Sequence, residues 1–140
     1  MSPEFLRAVL DTLMPGEATA ASEGALPAAS ACGVDLAPRA GAHAATLDAI
    51  ATEAGGAERF LGASPEARIA TMRAVEQRMP EAFRFLVLTV LQDYYEMPAV
   101  IRSLGWRIEP PQPRGHRLIE ADEATWQLLE RVKQRGRLWR

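Results

Sequence analysis

An all-α fold of about five to six helices is what this sequence predicts, because apolar residues recur at helical spacings of one, three and four. Two further observations support that reading. Helix-opening Pro-Glu pairs stand at Pro3-Glu4, Pro65-Glu66 and Pro80-Glu81. Glycine or proline closes the segments, at Pro15-Gly16, Gly55-Gly56 and Gly105.

Ser2 can cap the first helix, whose stripe is Phe5, Leu6, Val9, Leu10 and Leu13. Residues 16–40 form a long Ala/Gly-rich loop in which Leu26, Val34 and Leu36 are the only sizeable apolar groups. Such a loop needs a surface to lie on. A second helix is expected from about Ala42 to Ala54, with Leu47 and Ile50 inward. Ser64 opens a third, with Ile69, Met72, Val75 and Met79 on one face. The fourth runs from Pro80 to Tyr95 and includes the run Phe85 to Leu91, which is apolar apart from Thr89. That run alone also fits a buried strand, but its extension and its neighbours favour helix. A helix apolar all round is expected at the centre, covered by the others. A short fifth helix follows over Ala99–Leu104. Three prolines, Pro110, Pro111 and Pro113, then favour an extended, polyproline-like path over residues 106–118. Asp122 can cap a last helix with Trp126, Leu129 and Val132 on its inner face, and basic residues at its negative end. The expected division is a helical domain over 1–118 and a basic helix and tail over 119–140.

The 140 residues fit the size of one domain, and 48% hydrophobic with 24% charged residues is ordinary globular usage. The net charge of −2 exerts no overall pull on nucleic acid or anionic membrane. Its distribution is uneven: residues 1–100 carry 7 basic and 13 acidic side chains, and residues 101–140 carry 9 and 5. Cys32 is the only cysteine, so no internal disulfide forms. No basic segment precedes an apolar stretch near Met1, and no twin-arginine pair stands there. The expectation is a cytoplasmic protein without membrane insertion, reaching the periplasm only by co-export with a partner.

Familiar catalytic patterns are missing from the sequence. His43 and His116 lie far apart, with no ligand at zinc spacing and no Glu-x-x-His pair. Cys32 has no basic neighbour to stabilise a thiolate and reads as a small, partly buried thiol. Asp93 and Glu96 share a helix face, a pairing more often solvated than catalytic. No phosphate-cradling glycine motif occurs. Tyr94, Tyr95, Trp106 and the three prolines instead cluster in about twenty residues, a composition suited to a docking strip. Taken individually, Tyr94 and Tyr95 fit core packing equally well.

The stretch Leu91-Gln-Asp-Tyr-Tyr-Glu-Met-Pro-Ala-Val-Ile-Arg-Ser-Leu-Gly105, with Pro110-Pro-Gln-Pro-Arg-Gly-His-Arg-Leu118, resembles the C-terminal half of the gluconate 2-dehydrogenase subunit 3 family. Phe5 to Pro15 and Ser64-Pro65-Glu66 resemble its earlier helices, so the likeness spans residues 3–118. These are small subunits of glucose–methanol–choline-type flavoprotein dehydrogenases. The resemblance implies a non-catalytic chain that supports a large subunit acting on sugars or alcohols. FAD and the catalytic histidine would belong to that partner, leaving no cofactor here. The expected partner contacts are those of the docking strip, Tyr94, Tyr95, Trp106, Pro110, Pro111 and Pro113, together with His116. The twin-arginine signal of many members is missing, and the tail ending Arg137-Leu-Trp-Arg140 lies outside the pattern. Two other classes remain open: a homo-oligomer with a small-molecule pocket between helices, and a nucleic-acid binder acting through the basic tail.

Overall fold

Helix α1, Pro3–Leu13, begins where the Ser2 hydroxyl accepts a hydrogen bond from the Phe5 amide at 3.2 Å. That bond satisfies one of the amides a helix start leaves unpaired. The computed structural model describes residues 1–17, 24–108, 115 and 120–136. Among them the elements after α1 are a 3-10 segment, Ala37–His43, then α2 (Ala44–Glu53), α3 (Ala57–Gly62), α4 (Pro65–Arg78), α5 (Pro80–Glu96), α6 (Pro98–Ser103) and α7 (Glu123–Gln134). The described residues are all-α, with no strand. The chain divides into two units, Met1–Ile108 and Glu109–Arg140.

In the first unit α1 packs on α3, α2 on α4, and α4 and α6 on α5. The core draws Phe5, Val9 and Leu10 from α1, Leu47 and Ile50 from α2, Phe60 from α3, and Met72 and Val75 from α4. Phe83, Leu86, Val90 and Tyr94 of α5 and Val100 of α6 complete it. The Phe5 and Phe60 rings meet edge to face, with centroids 5.4 Å apart. This geometry contributes beyond the buried area alone.

The long loop has the surface it needs. The Asp11 carboxylate accepts the Ser30 amide at 2.9 Å and the Ser30 hydroxyl at 2.7 Å. Ser103 donates to the Ala25 carbonyl at 3.1 Å. Ala29, Val34 and Leu36 are buried against the helices. Cys32 is half-buried, as expected of a packing thiol, and its Sγ–H points to the Ala29 carbonyl. Burial pushes its pKa up, away from thiolate chemistry.

Helix α3 was not legible as an element of its own. Gly55-Gly56 does stop α2: Gly56 donates to Ala51 and Gly55 to Thr52, with Gly55 at φ 76°. A helix ending this way needs the left-handed conformation that glycine adopts freely. The chain then turns straight into six helical residues. Their last carbonyls are satisfied from α4, where Arg68 donates Nε to Phe60 O at 2.9 Å and a second nitrogen to Leu61 O.

Three burial expectations need correction. Ile69 of α4 is exposed, because the face of that helix in the core is centred on Met72 and Val75. Helix α5 is not covered all round: Phe85 is 55% and Leu88 48% exposed. Its neighbours occupy one side only. Trp126, Leu129 and Val132 of α7 do not form an inner face; every described residue from Glu120 to Gly136 is exposed. Among the described residues no helix is long and apolar enough to cross a membrane.

Candidate partner-binding surface

Helix α5 carries two apolar stripes on opposite sides. At 3.6 residues per turn, Phe83, Leu86, Val90 and Tyr94 share the inner side, and Phe85, Leu88 and Tyr95 share the outer. Two polar side chains share the outer side, Arg84 at its edge and Gln92 within the stripe between Leu88 and Tyr95, both exposed. Apolar groups grouped this way on one helix face are more informative than single exposed ones.

The adjacent tyrosines divide between these sides. Tyr94 is 1% exposed, and its hydroxyl donates to the Pro27 carbonyl at 2.7 Å. Burial pushes its phenol pKa up, with smaller effects from Cys32, Tyr95 and Glu17. This removes Tyr94 from the expected docking strip and makes it the pin that fastens the long loop to α5. Tyr95 is 47% exposed and stands edge-on to Tyr94, the centroids 5.4 Å apart.

Trp106 is 67% exposed, and the end of α6 fixes its backbone. Its amide donates to Ile101 O at 3.0 Å, while Gly105, at φ 72°, donates to Arg102 O at 2.9 Å. This pair of bonds is the Schellman closure, which turns the chain sharply out of the helix. Leu104 and Ile108 flank the indole and are also exposed. Pro110, Pro111, Pro113 and His116 lie outside the described residues.

The sequence reading missed the pairing beneath Phe85. His43 is 3% exposed, its ring 4.7 Å from that of Phe85, and its Nδ1 has no hydrogen-bond partner. Burial lowers its pKa, reinforced by the Arg39 charge. A neutral imidazole under an exposed ring gives Phe85 a firm seat. Arg39 pairs with Asp93 at 2.9 Å, tying the 3-10 segment to α5. The Asp93 carboxylate is thus engaged in an ion pair, whereas Glu96 is exposed. The polar positions Arg84 and Gln92 were the available signal for the outer side, since both fall on it.

A separate cleft of about 410 Å³ lies between α1 and the loop, lined by Leu6, Leu10 and Val34 with Arg7, Ser30 and Asp35. Among the described residues no group of three His, Cys, Asp or Glu side chains could hold a metal ion. No family model, curated protein or solved structure matches the chain.

Proposed function

We propose that this chain is a non-catalytic subunit that binds a partner protein through the outer side of α5 and the Leu104–Ile108 segment. The observation that carries the proposal is the exposure of Phe85, Leu88, Tyr95 and Trp106, three of them aromatic, on ordered backbone. Aromatic side chains anchor interfaces because they bury a large area with few rotatable bonds to immobilise. His43 and Tyr94 hold two of these rings from beneath, which lowers the ordering cost of docking.

The resemblance of residues 91–118 to the gluconate 2-dehydrogenase subunit 3 family supports a partner of one class. That partner is the large, FAD-containing subunit of a glucose–methanol–choline-type dehydrogenase acting on sugars or alcohols. In this role the small chain supplies no reacting group and stabilises the fold of the flavoprotein.

Co-expression with a glucose–methanol–choline-type flavoprotein from the same genome tests the proposal. The two should co-purify, and flavin content and dehydrogenase activity should depend on the small chain. Trp106→Ala should weaken the complex by about 30-fold, a loss of roughly 2 kcal/mol typical of an interface anchor. A flavoprotein equally stable, flavinated and active without the small chain contradicts the reading.

A further inference from the structure

We infer that α7 pairs antiparallel with the α7 of a second copy of this chain, making the second unit a self-association element. Its 12 residues form a capped helix whose apolar side chains are all in solvent. Asp122 Oδ1 accepts the Thr125 amide at 2.8 Å and the Thr125 hydroxyl at 2.6 Å. Helices this short are marginal in water unless an apolar face is covered. Trp126, Leu128, Leu129 and Val132, with Thr125 among them, lie within an arc of about 160° at 100° per residue.

The charge pattern selects the occupant. Asp122 and Glu123 stand at the first end, and Arg131, Lys133 and Arg135 at the last. The hydrogen bonds from Thr125 hold the Asp122 carboxyl below its usual pKa, so the first end is negative at neutral pH. An antiparallel copy lays each acidic end beside a basic one, with Leu129 near the two-fold axis, a self-complementary contact of the kind two-fold dimers use. A parallel copy would stack like charges. Asp122 to Arg135 holds three acids and three bases, counting Glu130, so the helix has no net attraction for an anionic bilayer. Acidic residues in its first turn would oppose one.

The contact is small. A helix of this length spans about 18 Å, and its pair buries less than the ~1,200 Å² of a standard stable interface. Association is therefore weak and concentration-dependent, with charge setting orientation more than affinity.

Sedimentation velocity on the full chain, from about 10 µM to about 1 mM, brackets such an affinity. The wild type should pass from monomer toward dimer across that range. Leu129→Asp should remain monomeric. Arg135→Glu, which keeps the strip and the Asp122 cap but leaves two bases and one acid where the last end had three bases, should dimerise about tenfold more weakly. Leu88→Asp, on the outer side of α5, should dimerise like the wild type. A wild type monomeric throughout overturns the inference, as does a dimer abolished by Leu88→Asp and retained by Leu129→Asp. Equal dimerisation of Arg135→Glu and wild type overturns the antiparallel arrangement. Binding to phosphatidylserine vesicles without self-association assigns the helix to a membrane surface instead. None of these results depends on a flavoprotein.

Discussion

Deleting one oxygen from Tyr94 should cost the fold far more than deleting the same oxygen from Tyr95. The Tyr94 hydroxyl donates to the Pro27 carbonyl at 2.7 Å within a residue 1% exposed. Tyr94→Phe leaves that acceptor without its donor, at a cost of about 1–2 kcal/mol. For a unit of this size each kcal/mol corresponds to about 4 °C, so the melting temperature should fall by about 4–8 °C. Tyr95 is 47% exposed, and Tyr95→Phe should stay within about 0.5 kcal/mol, or ~2 °C. Thermal unfolding followed by circular dichroism reads both. A pH series adds a second check. The folded pKa of Tyr94 is raised, so the folded state holds its proton longer than the unfolded one. Stability from this group is fully present below the ordinary tyrosine pKa of about 10 and declines as pH rises through the folded value. Tyr94→Phe should lack that part of the alkaline decline. Equal melting temperatures for the two variants would refute the assignment of one tyrosine to the core and the other to the surface.

Three more predictions concern the supports of the surface. His43 has a lowered folded pKa, so the unfolded state binds its proton more readily and stability falls as pH drops below about 6.5. His43→Leu should flatten that acid limb in denaturant titrations; an unchanged limb would point to other groups. Arg68→Ala removes both donors to the end of α3 and should cost about 1–2 kcal/mol. Hydrogen exchange should quicken first over residues 57–62, and uniform quickening would count against a local role. Gly105→Ala forces a side chain into φ 72° at a cost of about 1–2 kcal/mol and displaces Trp106, so partner affinity should fall too. Unaltered affinity would separate the indole from the interface.

Much of the fold was legible because it depends on short-range chemistry. Ser2, Ser64 and Asp122 cap their helices as their positions suggest, and Gly55 and Gly105 end theirs. The stripe of α1 is core along nearly its whole length. Helix α3 escaped notice because six residues show no periodicity, and its end is held by Arg68 from another helix. The fate of α5 was also nonlocal: apolar residues on both sides predict burial on both, but its neighbours cover one. Tyr94 and Tyr95 are chemically identical in sequence, and only the phase of α5 against the loop carbonyl of Pro27 separates them. For α7 the stripe was readable, while its exposure was not, because an apolar face does not say what covers it.

The account rests on the outer side of α5 and the Trp106 segment being covered in a complex. Hydroxyl-radical footprinting of the chain, free and bound to the co-expressed flavoprotein, measures this residue by residue. Phe85, Tyr95 and Trp106 should become protected on binding, with Tyr94 equally protected in both states. A complex that leaves those three rings as reactive as in the free chain would contradict the account.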